Sequence, residues 1–99
     1  MYEIRKYHGD RVMSLTYDDE DQSFSVGIIA PGEYEFGAIR MEVFTVTSGT
    51  ISVRIEEEGD WITYSLNETF TIPGHSNFSL KADQVSAYIC YYEQEDETD

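Results

Sequence analysis

Ninety-nine residues, 40% of them hydrophobic and 14% aromatic, suffice for one domain with its own core and are too few for two. A formal net charge of −14 with only six Lys and Arg argues against nucleic-acid binding, because phosphate backbones are held by clustered cations. The single cysteine, Cys90, excludes an intramolecular disulfide, no charged and apolar-cored leader precedes the first strand-like segment, and the apolar runs fall far short of the roughly 20 residues of a membrane span. The expectation is a cytoplasmic protein with no membrane role.

Apolar residues recur with a period of two, the pattern of half-buried strands. Met13, Leu15 and Tyr17 alternate with polar neighbours, and beyond the acidic turn Asp18 to Gln22 so do Phe24, Val26 and Ile28. Pro31-Gly32 marks the next turn; Phe44 and Val46 follow, and across Ser48-Gly49 come Ile51, Val53 and Ile55, with Arg54 pointing outward. Ile62, Tyr64 and Leu66 lie beyond Glu58-Gly59-Asp60, Phe70 and Ile72 beyond Asn67-Glu68, Phe78 and Leu80 beyond Pro73-Gly74, and Tyr88 to Tyr92 beyond Ala82-Asp83. About nine short strands with regularly spaced turns predict an all-β fold, and closure into a jelly-roll barrel over residues 1–93 leaves the fewest exposed edges. Residues 94–99 are expected to form an acidic, disordered tail.

Thirteen of the 20 acids lie in Asp18 to Asp21, in Glu56 to Glu58 with Asp60, and in the run from Glu93 to Asp99. These are turn tips and a tail, where salt screens charge over roughly 8 Å, so the body of the domain stays open to a small anion.

No Gly-rich phosphate loop, HExxH helix, paired CxxC or GxSxG elbow occurs. Two segments have cupin-like spacing. In Glu42-Val43-Phe44-Thr45-Val46-Thr47-Ser48-Gly49 a glutamate and a glycine are separated by six residues, which resembles the end of the first cupin motif. In Asn67 to His75 a turn residue, five intervening residues and Pro73 resemble the second, with Asn67 at a position where a left-handed backbone is needed. The histidines that complete a cupin metal set are missing: Glu35 to Ala38 holds none, and Phe78 stands where the second motif's histidine falls, with His75 displaced. One Glu and one displaced His fall short of the three or four ligands a first-row metal takes, so no metal cofactor is expected.

Tyr7-His8-Gly9, Ser25-Val26-Gly27, Gly32-Glu33-Tyr34 with Phe36, Thr45-Val46 with Ser48-Gly49, Asp60-Trp61, Pro73-Gly74-His75-Ser76 with Phe78, and Tyr88 with Cys90 and Tyr92 stand at mutually consistent spacings. Together they resemble the small, single-domain, cupin-fold pyrimidine/purine nucleoside phosphorylases, over residues from about 7 to 92. The acidic tail, Arg40 and Asn67 depart from that family's pattern. The resemblance implies an enzyme without cofactor that takes purine and pyrimidine nucleosides with inorganic phosphate and releases free base and ribose 1-phosphate.

Such a reaction needs an anion site, stabilisation of an oxocarbenium-like transition state and a hydrogen bond to the departing base. Within that frame Glu42, sharing parity with Phe44 and Val46, points into the barrel toward the ribose hydroxyls or the developing positive charge. His75 hydrogen-bonds phosphate or base, making Glu42 and His75 the expected catalytic pair. Arg40, on the face of Glu42, holds phosphate with the backbone of Gly74 to Ser76. Tyr34, Tyr88 and Tyr92 stack on the base and reach the sugar with their hydroxyls, and Cys90 sits among them as a small buried hydrophobe. Two other readings stay open: a metal-dependent cupin enzyme using His75 and Glu42, and a cupin that binds a sugar or nucleoside without turnover. The apolar Met13 to Tyr17 and Phe24 to Ile28 segments suit an interface between two copies, so a homodimer is expected.

Overall fold

The structure, a computed structural model, describes residues 2–93, and the expected tail over 94–99 lies outside the described residues. Ten strands follow in order: β1 (Tyr2–Tyr7), β2 (Val12–Asp18), β3 (Ser23–Ile29), β4 (Gly32–Ala38), β5 (Glu42–Ser48), β6 (Ile51–Ile55), β7 (Ile62–Tyr64), β8 (Thr69–Ile72), β9 (Ser76–Ala82) and β10 (Ser86–Tyr92). They form a six-stranded sheet ordered β1-β2-β3-β10-β5-β8 and a four-stranded sheet ordered β4-β9-β6-β7. Every pairing is antiparallel.

The fold is thus all-β, as the alternation predicts, and the two sheets face each other in jelly-roll fashion without a hydrogen-bonded ladder closing the barrel between them. Among the described residues there is no helix, and so none long and apolar enough to cross a membrane. Two strands gave little alternation to read. β1 is an edge strand with almost all its side chains exposed, and β4 is punctuated by Gly32 and Gly37.

Between the sheets lies a core in which Val46, Ile51, Ile72 and Leu80 are fully buried. Phe44 stacks on Phe70 with centroids 5.0 Å apart and tilts against Tyr88 at 5.1 Å, geometries that add to simple area burial. Asn67 takes the left-handed backbone its turn demands, at φ 69°. The acidic tip after β2 is held locally: the Asp19 carboxylate accepts from the Tyr17 hydroxyl at 2.7 Å and from two backbone N–H groups, which hold its pKa below the ordinary range. On the outer face of the four-stranded sheet, the Arg54 guanidinium and the Lys81 ammonium lie 4.9 and 4.3 Å from the Trp61 ring.

In β2 and β3 the alternation is as read, and its larger apolar parity faces outward. Val12, Ser14, Ser23, Ser25 and Ile29 are buried, whereas Met13, Leu15, Val26 and Ile28 face solvent at 40 to 57% exposure. A period of two marks a strand without saying which parity turns inward, and here both parities carry apolar residues. Facing outward, Ile4, Met13, Leu15, Val26, Ile28 and Ile89 line an apolar groove of about 550 Å³. Facing inward, Ser14, Thr16 and Ser23 are too small to fill the space between the sheets and border a lumen, while the space over Gly27 is taken by the Tyr88 ring.

Candidate active site

Three cross-strand rows build the lumen floor. At its mouth Glu42, the first residue of β5, pairs with Tyr92 of β10, and Ser23 pairs with Asp18. One step deeper, Thr16, Ser25, Cys90 and Phe44 are successive partners, and below them stand Ser14, Gly27, Tyr88 and Val46. The floor therefore grades from polar at the mouth to apolar at depth. A Cβ on Gly27 would overlap the Tyr88 ring, so only glycine there lets that ring lie across β3.

Two cavities occupy this space. The outer one, about 470 Å³, is lined by Arg5 and Arg40, by the carboxylates of Asp18, Glu42 and Glu3, the last paired with Arg5, and by Thr16, Ser23 and Tyr92. The inner one, about 100 Å³, is walled chiefly by Tyr7, Phe36, Phe44, Tyr88 and Tyr92, with Glu42 and Ser14 as polar groups. Glu42 and Tyr92 line both and so stand at their boundary.

Burial dominates the electrostatics of Glu42. Its carboxyl is pushed up to about 7, against the smaller opposing pull of the Arg40 charge and the Cys90 thiol. The Cys90 thiol points at Glu42 Oε1 from 3.9 Å, and its own pKa is raised by burial and by that carboxyl. The Tyr88 and Tyr92 phenols are likewise pushed up by burial, so both stay protonated at neutral pH. Arg40 is fixed on three sides: Nη1 donates to the Glu93 carbonyl at 3.3 Å, Nη2 to Ser23 Oγ at 3.4 Å, and the guanidinium sits 5.3 Å from the Tyr92 ring centroid. The Tyr92 hydroxyl shares a hydrogen bond with Ser25 Oγ at 2.7 Å, and Ser25 shares another with Thr16 Oγ1 at 2.8 Å.

Of the residues expected from the sequence, Glu42, Arg40, Tyr88 and Tyr92 converge on this lumen. Tyr34 is buried elsewhere. Its hydroxyl faces the carbonyls of Ala30 and Pro31 at 2.8 and 2.9 Å and accepts from Arg11 Nε at 3.2 Å, holding the turn between β3 and β4. His75 has an exposed side chain and a left-handed backbone at φ 59°, and its N–H donates to the Ile39 carbonyl at 3.3 Å. Gly74 lies against the same segment, where a Cβ would come within 3.2 Å of Arg40 Cα, and Ser76 Oγ donates to the Pro73 carbonyl at 2.6 Å. The turn of Gly74, His75 and Ser76 thus supports the back of the segment carrying Arg40 and lines neither cavity.

Sequence reasoning assigned no role to Tyr7, Ser14, Thr16, Ser23 and Ser25. Two signals were present: the segments Tyr7-His8-Gly9 and Ser25-Val26-Gly27 belong to the family pattern, and small hydroxyl residues repeat at one parity of β2 and β3.

The donor set does not suit a metal. Among the described residues no three His, Cys, Asp or Glu side chains gather as ligands. Glu42 is joined by a thiol that burial keeps protonated and by neutral phenols, while the His8 Nε2–H is turned onto the Glu35 carbonyl at 3.1 Å.

A family model described as pyrimidine/purine nucleoside phosphorylase matches residues 2–92. The chain belongs to that family. A relative from Tolumonas auensis named pyrimidine/purine nucleoside phosphorylase is 38% identical over 92 residues, covering 93% of this chain and 99% of the relative. The crystal structure of a Vibrio parahaemolyticus protein of unknown function superposes with a TM-score of 0.87 at 38% identity, covering 94% of this chain and 99% of that one. A cupin superfamily protein from Desulfitobacterium hafniense superposes with a TM-score of 0.72 at 12% identity, covering 94% and 84%, which makes the fold cupin-like. The family membership concerns an enzyme class.

Proposed function

We propose that the chain cleaves purine and pyrimidine nucleosides with inorganic phosphate, releasing free base and ribose 1-phosphate, at the boundary between the two lumen cavities. The observation that carries this reading is the half-buried Glu42 carboxyl set between an arginine-bearing outer cavity and an aromatic-walled inner one. Phosphate is held at the mouth by the Arg40 donors not engaged with Glu93 and Ser23, the planar fork suiting an oxyanion. The base packs on Tyr88, whose face serves every base alike, and turns its edge to the Tyr92 hydroxyl, the Tyr92 ring face being engaged by Arg40.

As the bond between the anomeric carbon and the base nitrogen breaks, the electron pair leaves with the base, a phosphate oxygen bonds the carbon from the other side, and the proton carried by the hydrogen phosphate passes, through water, to the base. Ionised Glu42 accepts hydrogen bonds from ribose hydroxyls and faces the positive charge that develops between those events. His75, Gly74 and Ser76 act through Arg40 by holding the segment it stands on, and Tyr34 acts through the turn it fixes. The apolar groove on the outer face of the six-stranded sheet seats a second copy, giving a cytoplasmic homodimer with no nucleic-acid or membrane partner.

The test is incubation with uridine, cytidine, inosine and adenosine, with and without phosphate. Base and ribose 1-phosphate in equal amounts, only with phosphate present, are expected; no phosphate-dependent base release from any of the four overturns the reading.

A further inference from the structure

Ser25 is 1% exposed, and its hydroxyl is the middle member of a chain of three: Thr16 Oγ1, Ser25 Oγ and Tyr92 Oη, joined at 2.8 and 2.7 Å. Each hydroxyl has one proton and lone pairs to accept another. The chain therefore has two complete arrangements. If Thr16 donates to Ser25 and Ser25 donates to Tyr92, the Tyr92 proton is left for a partner outside the chain, on a side chain that lines both cavities beside the Cys90 thiol. If Tyr92 donates to Ser25 and Ser25 donates to Thr16, the Tyr92 oxygen offers the lumen a lone pair instead. Either way both internal bonds survive, so reversal needs only rotation of three O–H groups. Burial keeps Tyr92 a neutral phenol with its proton in place, and Arg40 engages its ring face and leaves the hydroxyl alone.

We infer that Ser25 is a positioning residue which makes Tyr92 a reversible reader of the base edge, a donor to keto bases and an acceptor from amino bases; this rests on the nucleoside reading proposed above. Uracil and hypoxanthine present carbonyl acceptors where cytosine and adenine present amino donors. A fixed donor in a buried site would reject half of them, because an unpaired buried polar group costs on the order of ten- to a hundredfold in affinity. A reversible chain pairs with both sets, and the ligand selects the arrangement it binds better.

The experiment compares wild type, Ser25→Ala, Thr16→Val and Tyr92→Phe for calorimetric binding and phosphorolysis of uridine, inosine, cytidine and adenosine. In Ser25→Ala the Tyr92 hydroxyl still donates to a keto base. When it accepts from an amino base, its own proton has no partner. Cytidine and adenosine should then weaken about ten- to a hundredfold relative to uridine and inosine. Thr16→Val, at a half-buried site with solvent access, should shift the ratio the same way by less, and covers the case in which Ser25→Ala does not fold. Tyr92→Phe, lacking the reader, should weaken both sets by similar factors.

Unchanged ratios in Ser25→Ala and Thr16→Val, or equal losses across all four nucleosides, overturn the inference. A wild type that binds the four and cleaves none refutes phosphorolysis while the binding ratios still judge the relay. A wild type that binds none refutes the relay as a base reader.

Discussion

Glu42→Gln should raise stability and lower activity at once, because the same buried carboxylate is costly to fold and useful in turnover. The folded-state carboxyl titrates at about 7 against an ordinary value of 4.5. Between those values the folded chain holds a proton that the unfolded chain has released. Stability therefore falls as pH rises across the window: the group contributes fully below pH 4.5 and has lost that contribution above pH 7. The full separation corresponds to about 3 kcal/mol as a ceiling, and partial solvent contact of the carboxyl reduces it to about 1–2 kcal/mol. Glutamine keeps the shape and never ionises.

Thermal melts should therefore show Glu42→Gln more stable than wild type by about 1–2 kcal/mol at pH 8, several degrees in Tm for a domain this size, with the difference closing toward pH 5. In the same preparations phosphorolysis at pH 8 should fall about a hundred- to a thousandfold, the range for loss of one preorganised electrostatic contact in the transition state. The wild-type kcat/KM should rise with pH through a pKa near 7, and the variant should lack that limb. A variant with unaltered stability at pH 8, or a gain independent of pH, would refute burial as the cause of the shift. Near-parent turnover would refute the lumen assignment of Glu42.

Gly27→Ala should cost about 1–3 kcal/mol in denaturant unfolding and lower activity with it, since the new Cβ meets the Tyr88 ring. Arg40→Lys replaces a planar fork with a point charge and should raise the KM for phosphate at least about tenfold while moving the nucleoside KM little; equal changes in both would place phosphate elsewhere. Ile28→Asp, in the outer apolar groove at 57% exposure, should halve the mass seen by light scattering and leave the circular dichroism unchanged. A parent protein that is monomeric at micromolar concentration would refute the interface.

Strand positions were legible because alternation is a property of the strand itself: Phe44 and Val46, or Ile51 and Val53, are buried where their period puts them. The inward parity of β2 and β3 was not, because Met13, Leu15, Val26 and Ile28 look like a core stripe until the neighbouring sheet shows which side is covered. The site divides along the same line. Glu42 was readable from its parity with Phe44, whereas Arg40 lies in the bend between β4 and β5, so its approach to Ser23 and Tyr92 owes nothing to strand parity. The setting of His75 depends on a left-handed turn packed against Ile39 and Arg40, a contact between distant segments that no local spacing encodes. Ser25 was invisible as a functional residue for a related reason: a lone serine has no chemistry until Tyr92 and Thr16 arrive from β10 and β2.

The small residues along the inner parity of β2 and β3 separate two jobs that most domains of this size must perform with the same atoms. Cohesion rests on Phe44, Phe70, Ile72 and Leu80, whereas the shape offered to a ligand is set from this side by Ser14, Thr16 and Ser23, which line the two cavities. A methyl or two added at Ser14 or Ser23 would change which molecules fit while leaving the stacked phenylalanines in place. The lumen can thus be recut from one side of the sheet, and altered substrate preference in this scaffold should be sought first in β2 and β3.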